Sequence, residues 1–174
     1  MKRLLVFFLL LNVACVDDRD VSLDDVVVNP EYRLNFVNFE LTANTLNQGN
    51  LSEPDQITDF AEVDFLREDI NVDYLETVSF EVATQNGLDQ PVNINFQFAD
   101  IEENLVYEFN RTIAARSNDA PTYETFTIDL NAQEVNAITD AFDLQVTFTQ
   151  PDENDQSGSF SLTSIVHFSY RYTP

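Results

Sequence analysis

Chemistry in this chain would have to come from one histidine, one cysteine and a large set of carboxylates, 31 Asp and Glu in 174 residues. His167 carries the ring nitrogens that a general base or metal ligand needs. It alternates in step with Ser161, Thr163, Ser169 and Arg171, so a solvated histidine on a polar sheet face is the expectation. A single His and a single Cys exclude any triad or transition-metal cage built on paired imidazoles or thiols. The acidic loop from Asp152 to Gly158 offers oxygens to Ca²⁺, yet an EF-hand loop needs Gly sixth and Glu twelfth. Here Gly158 is seventh and Thr163 twelfth, so a solvated connection is expected, as it is for the cluster Asp55, Asp59, Glu62 and Asp64.

Two carboxylates about 5–9.5 Å apart can hydrolyse a glycosidic bond. With 31 acids some pair meets that spacing by chance, so the pattern carries no weight. There is no Trp to form a sugar-stacking platform, leaving Tyr32, Tyr74 and Tyr123 near strand ends or loops. Each is expected to cap the core's edge. The row Asn93, Asn95 and Gln97 points away from the apolar parity; a glycan or polar surface could lie on it, and a plain solvated face is the expectation. No catalytic, cofactor-binding or metal-ligating residue is assigned.

The first fourteen residues, MKRLLVFFLLLNVA, place Lys2 and Arg3 before the apolar run Leu4 to Leu11, with small residues at Val13 and Ala14. That is the layout of a secretory signal peptide. The run is far short of the roughly 20 residues that a membrane-spanning helix needs. Cys15 follows directly. Val13-Ala14-Cys15 resembles the end of a lipobox, the cleavage motif of bacterial lipoproteins, although Asn12 stands where Leu is usual. The resemblance implies acylation at Cys15, and two or more acyl chains at ~0.8 kcal/mol per buried CH₂ anchor stably. Past Cys15, the acids Asp17, Asp18, Asp20, Asp24 and Asp25 resemble the acidic stretch of surface-exported lipoproteins of Bacteroidota. This resemblance implies an outer-membrane, surface-exposed location. The expected organisation is a signal peptide over 1–14, a lipidated Cys and acidic tether over 15–31, and a folded domain over 32–174.

The whole chain carries a formal charge of −23, which opposes nucleic acid as a partner. Beyond residue 14 there are six arginines and no lysine against all 31 acids, a net −25. Such a segment forms no side-chain Schiff base and uses no amine nucleophile. Its self-repulsion is relieved by salt, which points to a saline habitat.

Period-two alternation dominates from residue 34. Leu34 and Phe36 give way to Phe39 and Leu41 with opposite parity, a slip that predicts a bulge near Val37-Asn38. A loop is expected over 42–55, a strand through Ala61, Val63 and Phe65, and a weaker one through Ile70, Val72 and Tyr74. Val78, Phe80 and Val82 lead to a loop at Asn86–Pro91, since a two-residue hairpin would put Pro91 inside the ladder. Val92, Ile94, Phe96 and Phe98 form the next strand, a turn spans Asp100–Asn104, and Leu105, Tyr107 and Phe109 complete an expected meander. Phe126, Ile128 and Leu130 precede a capping-box variant at Asn131 and Glu134 that opens a short helix to about Asp140. Two further strands carry Phe142 to Phe148 and Phe160 to Tyr172.

Seven to nine strands, each apolar on one side, require two sheets face to face. The expected fold is an all-β antiparallel sandwich of immunoglobulin-like or jelly-roll type with one short helix, the alternative being a closed β-barrel. The expected function is that of a non-catalytic cell-envelope lipoprotein, held to the membrane by N-terminal acyl chains, with a domain for interaction or structure. The alternative is a glycan- or calcium-binding module in surface nutrient capture, with a protein or glycan partner.

Overall fold

Residues that alternate apolar and polar bury one row and wet the other when extended, and the described residues form eight such strands. The computed structural model describes residues 27–43, 56–150 and 157–172; Cys15, the signal-like segment and most of the two long loops lie outside them. The strands are β1 (Glu31–Thr42), β2 (Gln56–Glu62), β3 (Leu75–Asn86), β4 (Val92–Ala99), β5 (Leu105–Ile113), β6 (Thr122–Asp129), β7 (Asp143–Thr149) and β8 (Ser159–Tyr170). One sheet has the order β1-β8-β3-β6 and the other β2-β7-β4-β5.

All six pairings described are antiparallel, and four of them follow one rule, while β3–β8 and β4–β7 join the resulting pairs into sheets. β4 pairs with β5, β3 with β6, β2 with β7 and β1 with β8. The chain is thus one long hairpin with its tip at the β4–β5 turn, rolled up so that successive pairs fall in opposite sheets. This is the jelly-roll arrangement. It decides between the two sandwich types and excludes the closed barrel, because β1 and β6 edge one sheet and β2 and β5 the other.

The roll also corrects the meander. β4 and β5 do form a hairpin, but β3 crosses to the other sheet, between β8 and β6. Ile70, Val72 and Tyr74 form no strand: they lie in α1 (Asp69–Tyr74), a helix that the alternation did not predict, after a 3₁₀ turn at Asp64–Arg67. The segment runs into β3 at Leu75 with no turn between, so it cannot fold back beside β3, whose two edges β8 and β6 occupy. Val63 and Phe65 likewise fall beyond β2.

The bulge in β1 is present: pairing with β8 skips from Asn35 to Val37, leaving Phe36 as the extra residue. The helix α2 (Ala132–Ile138) begins with a full capping box, the Asn131 side chain accepting from the Gln133 and Glu134 N–H groups while Glu134 accepts from the Asn131 N–H. Val135 and Ile138 are its buried residues.

Phenylalanines join the sheets. Phe80 on β3 meets Phe98 on β4 at 5.9 Å between ring centroids, Phe148 on β7 meets Phe160 on β8 at 5.7 Å, and Phe109 on β5 meets Phe126 on β6 at 5.8 Å. A fully buried side chain of this size contributes about 1.5–3 kcal/mol relative to exposure. At one end the backbone of Gly158, at φ +112°, passes against the Gly87 carbonyl, where no Cβ fits.

Candidate functional site

On the outer face of the β2-β7-β4-β5 sheet the acids gather at one end, in the cross-strand row Glu62, Asp143, Ala99, Leu105. The other three rows read Thr149, Asn93, Thr112; then Thr58, Thr147, Asn95, Asn110; then Phe60, Gln145, Gln97, Glu108. Glu108 is the single carboxylate in these rows, and its Oε1 accepts from Asn95 Nδ2 at 3.0 Å and Gln97 Nε2 at 3.2 Å. Thr112 Oγ1 donates to Asn93 Oδ1 at 2.6 Å. The row Asn93, Asn95 and Gln97 therefore belongs to a wider amide and hydroxyl surface.

At the β4–β5 end of this face lies a depression of about 450 Å³. Gln97, Ala99, Asp143 and Gln145 line it from β4 and β7, Phe60 from β2, Leu105 from the start of β5, and Glu103 from the turn. Two features of the backbone build it. Pairing shifts between Phe98 and Ala99, so that Ala99 opposes Leu105 and Val106 becomes the extra residue of a bulge. The bulge turns Leu105 outward, where it is 53% exposed, instead of inward with Tyr107 and Phe109 as its parity predicted. The small side chain of Ala99 keeps the floor low.

The turn at Asp100–Asn104 sets the rim. Asp100 Oδ1 accepts the N–H groups of Glu102 and Asn104, each at 2.8 Å, and Asn104 Nδ2 donates to Asp100 Oδ2 at 3.0 Å. These bonds, the Asn104 side chain's foremost, hold the Asp100 carboxyl below its ordinary value of 3.8. They also hold Glu103 in the left-handed region at φ 64°, with its N–H donating to the Asp100 carbonyl at 3.0 Å. A non-glycine residue kept there stores about 1–3 kcal/mol of strain, a cost typical of sites that act.

The other expected residues fall elsewhere. His167 lies on the outer face of the opposite sheet, opposite Arg33 and Ser79. Its Nε2 is 3.5 Å from Glu81 Oε2, which lies 3.6 Å from Arg33 Nη2. Asp59 and Glu62 have opposite parity on β2 and Asp64 sits in the 3₁₀ turn, so they do not converge; Asp55 is outside the described residues. Among the described residues no group of three or more His, Cys, Asp or Glu is placed to hold a metal.

Tyr32 and Tyr74 are exposed, and each reaches the core's edge only through a neighbouring ring: Tyr32 meets Tyr170 at 5.6 Å, and Tyr74 meets Tyr172 at 4.6 Å. Burial pushes the Tyr170 hydroxyl upward, with Tyr172 and Tyr32 adding to it. Tyr123 does not cap. It stands 70% exposed opposite Gln85, on the outer face of β6. The residue that sequence reasoning missed is Phe60, 66% exposed. Its signal was an aromatic out of step with Ala61 in an otherwise alternating strand.

No family model matches the chain, and no curated protein matches it. Solved structures do resemble it. One of infectious bursal disease virus, Gx strain, is 12% identical with a TM-score of 0.49, over 81% of this chain and 32% of that one. The enzymatically active domain of bacteriophage CBA120 tailspike protein 4 is 10% identical with a TM-score of 0.39, over 83% and 19%. Desmodium yellow mottle tymovirus is 9% identical with a TM-score of 0.32, over 84% and 92%. The chain thus spans about a third of the first of these, and nothing about ligand or activity passes from such distant likenesses.

Proposed function

We propose that this chain is a non-catalytic, lipid-anchored protein of the cell envelope whose jelly roll is an interaction domain. The observation that carries the reading is the depression on the outer face of the β2-β7-β4-β5 sheet: a concave, mixed polar and apolar site on rigid strands, held open by a bulge and a pinned turn. Such a site is suited to binding. The anchor is supported by Cys15 directly after a signal-like segment, and by the acids that follow it, a charge block that suits a tether. Against catalysis stand the absence of lysine after residue 14 and the single histidine, which sits on the other sheet's outer face.

Expression in a host that acylates lipoproteins tests the reading. The mature chain should begin at Cys15, carry acyl mass on that residue and sediment with outer membranes, and Cys15→Ser should release it. A product cut elsewhere and secreted with a free thiol would overturn the anchor.

A further inference from the structure

We propose that the depression between Phe60 and Glu103 binds a small neutral saccharide. The inference rests on the domain being a binding module and names its ligand class.

The lining has the chemistry that a sugar ring requires. Carboxylates accept from hydroxyl groups in short, charge-assisted bonds, and Asp143 and Glu103 supply two on different walls. The Gln145 and Gln97 amides sit side by side across β7 and β4. Gln97 gives its donor to Glu108, which leaves its carbonyl oxygen to accept. Gln145 has no side-chain partner among the described residues and offers both donor and acceptor. Phe60 and Leu105 present apolar surface for the C–H face of the ring. A volume near 450 Å³ lies within the range of about 300–1,000 Å³ for small-molecule sites.

Charge selects among polar ligands. A net −25 beyond residue 14 disfavours phosphates, uronates and sulfated sugars. Asp143 and Glu103 would attract a cationic ligand too, but such a ligand leaves the apolar faces of Phe60 and Leu105 without a partner. Neutral molecules that carry both hydroxyl groups and C–H faces use the whole lining. The backbone at Glu103 lies at φ 64°, which glycine adopts without cost, so Glu103→Gly removes the carboxylate and keeps the turn.

The full chain, solubilised in detergent, is screened by saturation-transfer NMR against neutral gluco-, galacto-, manno- and xylo-oligosaccharides. Oligouronates, a sulfated oligosaccharide and spermidine serve as charged comparators. A neutral saccharide should bind best. Phe60→Ala should weaken it at least about tenfold, equivalent to about 1.4 kcal/mol. Glu103→Gly should weaken it about fivefold or more without lowering the melting temperature, and Tyr123→Ala should leave it unchanged. Binding of none of the neutral saccharides, tighter binding of a charged probe, or neutral binding indifferent to Phe60→Ala and Glu103→Gly would each overturn the proposal. Acyl mass at Cys15 is read separately, so an empty depression on an acylated chain refutes the ligand and leaves the anchor standing.

Discussion

The Asn86 side chain is wholly buried, and its Oδ1 accepts the Leu88 N–H at 2.9 Å, closing the loop from β3 to β4. Its Nδ2 donates to the carbonyls of Gln90 at 2.9 Å and Ala114 at 3.0 Å, so one amide ties three backbone segments together. Asn86→Ala leaves a buried N–H and two carbonyls without that partner, and each such loss costs about 1–3 kcal/mol. Urea unfolding should show a destabilisation of about 2–4 kcal/mol. A loss below about 1 kcal/mol would mean that water replaces the amide.

Gln150 gives the opposite expectation. It is fully buried just after β7, and neither Oε1 nor Nε2 has a hydrogen-bond partner among the described residues. An apolar side chain of similar shape removes that desolvation cost. Gln150→Met should therefore stabilise the fold by about 1 kcal/mol in the same urea assay. Destabilisation of that size would show the amide to be satisfied in solution.

Sequence alternation exposed the sandwich because each strand has one wet and one dry face, as in β8, where Phe160, Leu162, Val166 and Phe168 are all buried. The capping box at Asn131 and the loop before Pro91 were legible for local reasons. Strand partners were not: β3 and β4 look like neighbours in sequence, and only the occupied edges of β3 show otherwise. The depression was hidden for a related reason. It depends on a bulge that turns Leu105 outward and on Phe60 lying two strands away from Gln97, neither of which alternation encodes.

Asp100 links the rim of the depression to pH. Its carboxyl is held below 3.8, mainly by the Asn104 side chain and then by the Asn104 N–H. A depressed folded value means that its contribution to stability is present above 3.8 and is lost as pH falls through the folded value. Asp100→Asn should consequently be less stable than the parent at about pH 6, with the gap narrowing toward about pH 2. Urea titrations of both proteins across that range read it directly. A gap that is constant with pH would show that the turn is held by shape and not by the charge.

Salt tests the acidic surface as a whole. Arg33, Arg111, Arg116 and Arg171 already pair with Glu81, Glu124, Asp89 and Glu76. Exposed pairs of this kind contribute about 0–1 kcal/mol each, so screening them costs little. The remaining acids far outnumber the cations and repel one another, and screening that repulsion favours the folded chain. The Debye length falls from about 10 Å at 0.1 M to about 3 Å at 1 M, short enough to decouple most neighbouring surface carboxylates. A relief of about 2 kcal/mol raises the melting temperature of a domain this size by about 4–8 °C. That rise should appear in thermal melts between about 0.1 and 1 M NaCl, and equally in KCl, because screening is indifferent to which monovalent cation supplies it. A flat melting temperature would mean that the acids are already spaced beyond one another's reach, and the inference of a saline setting would fall with it.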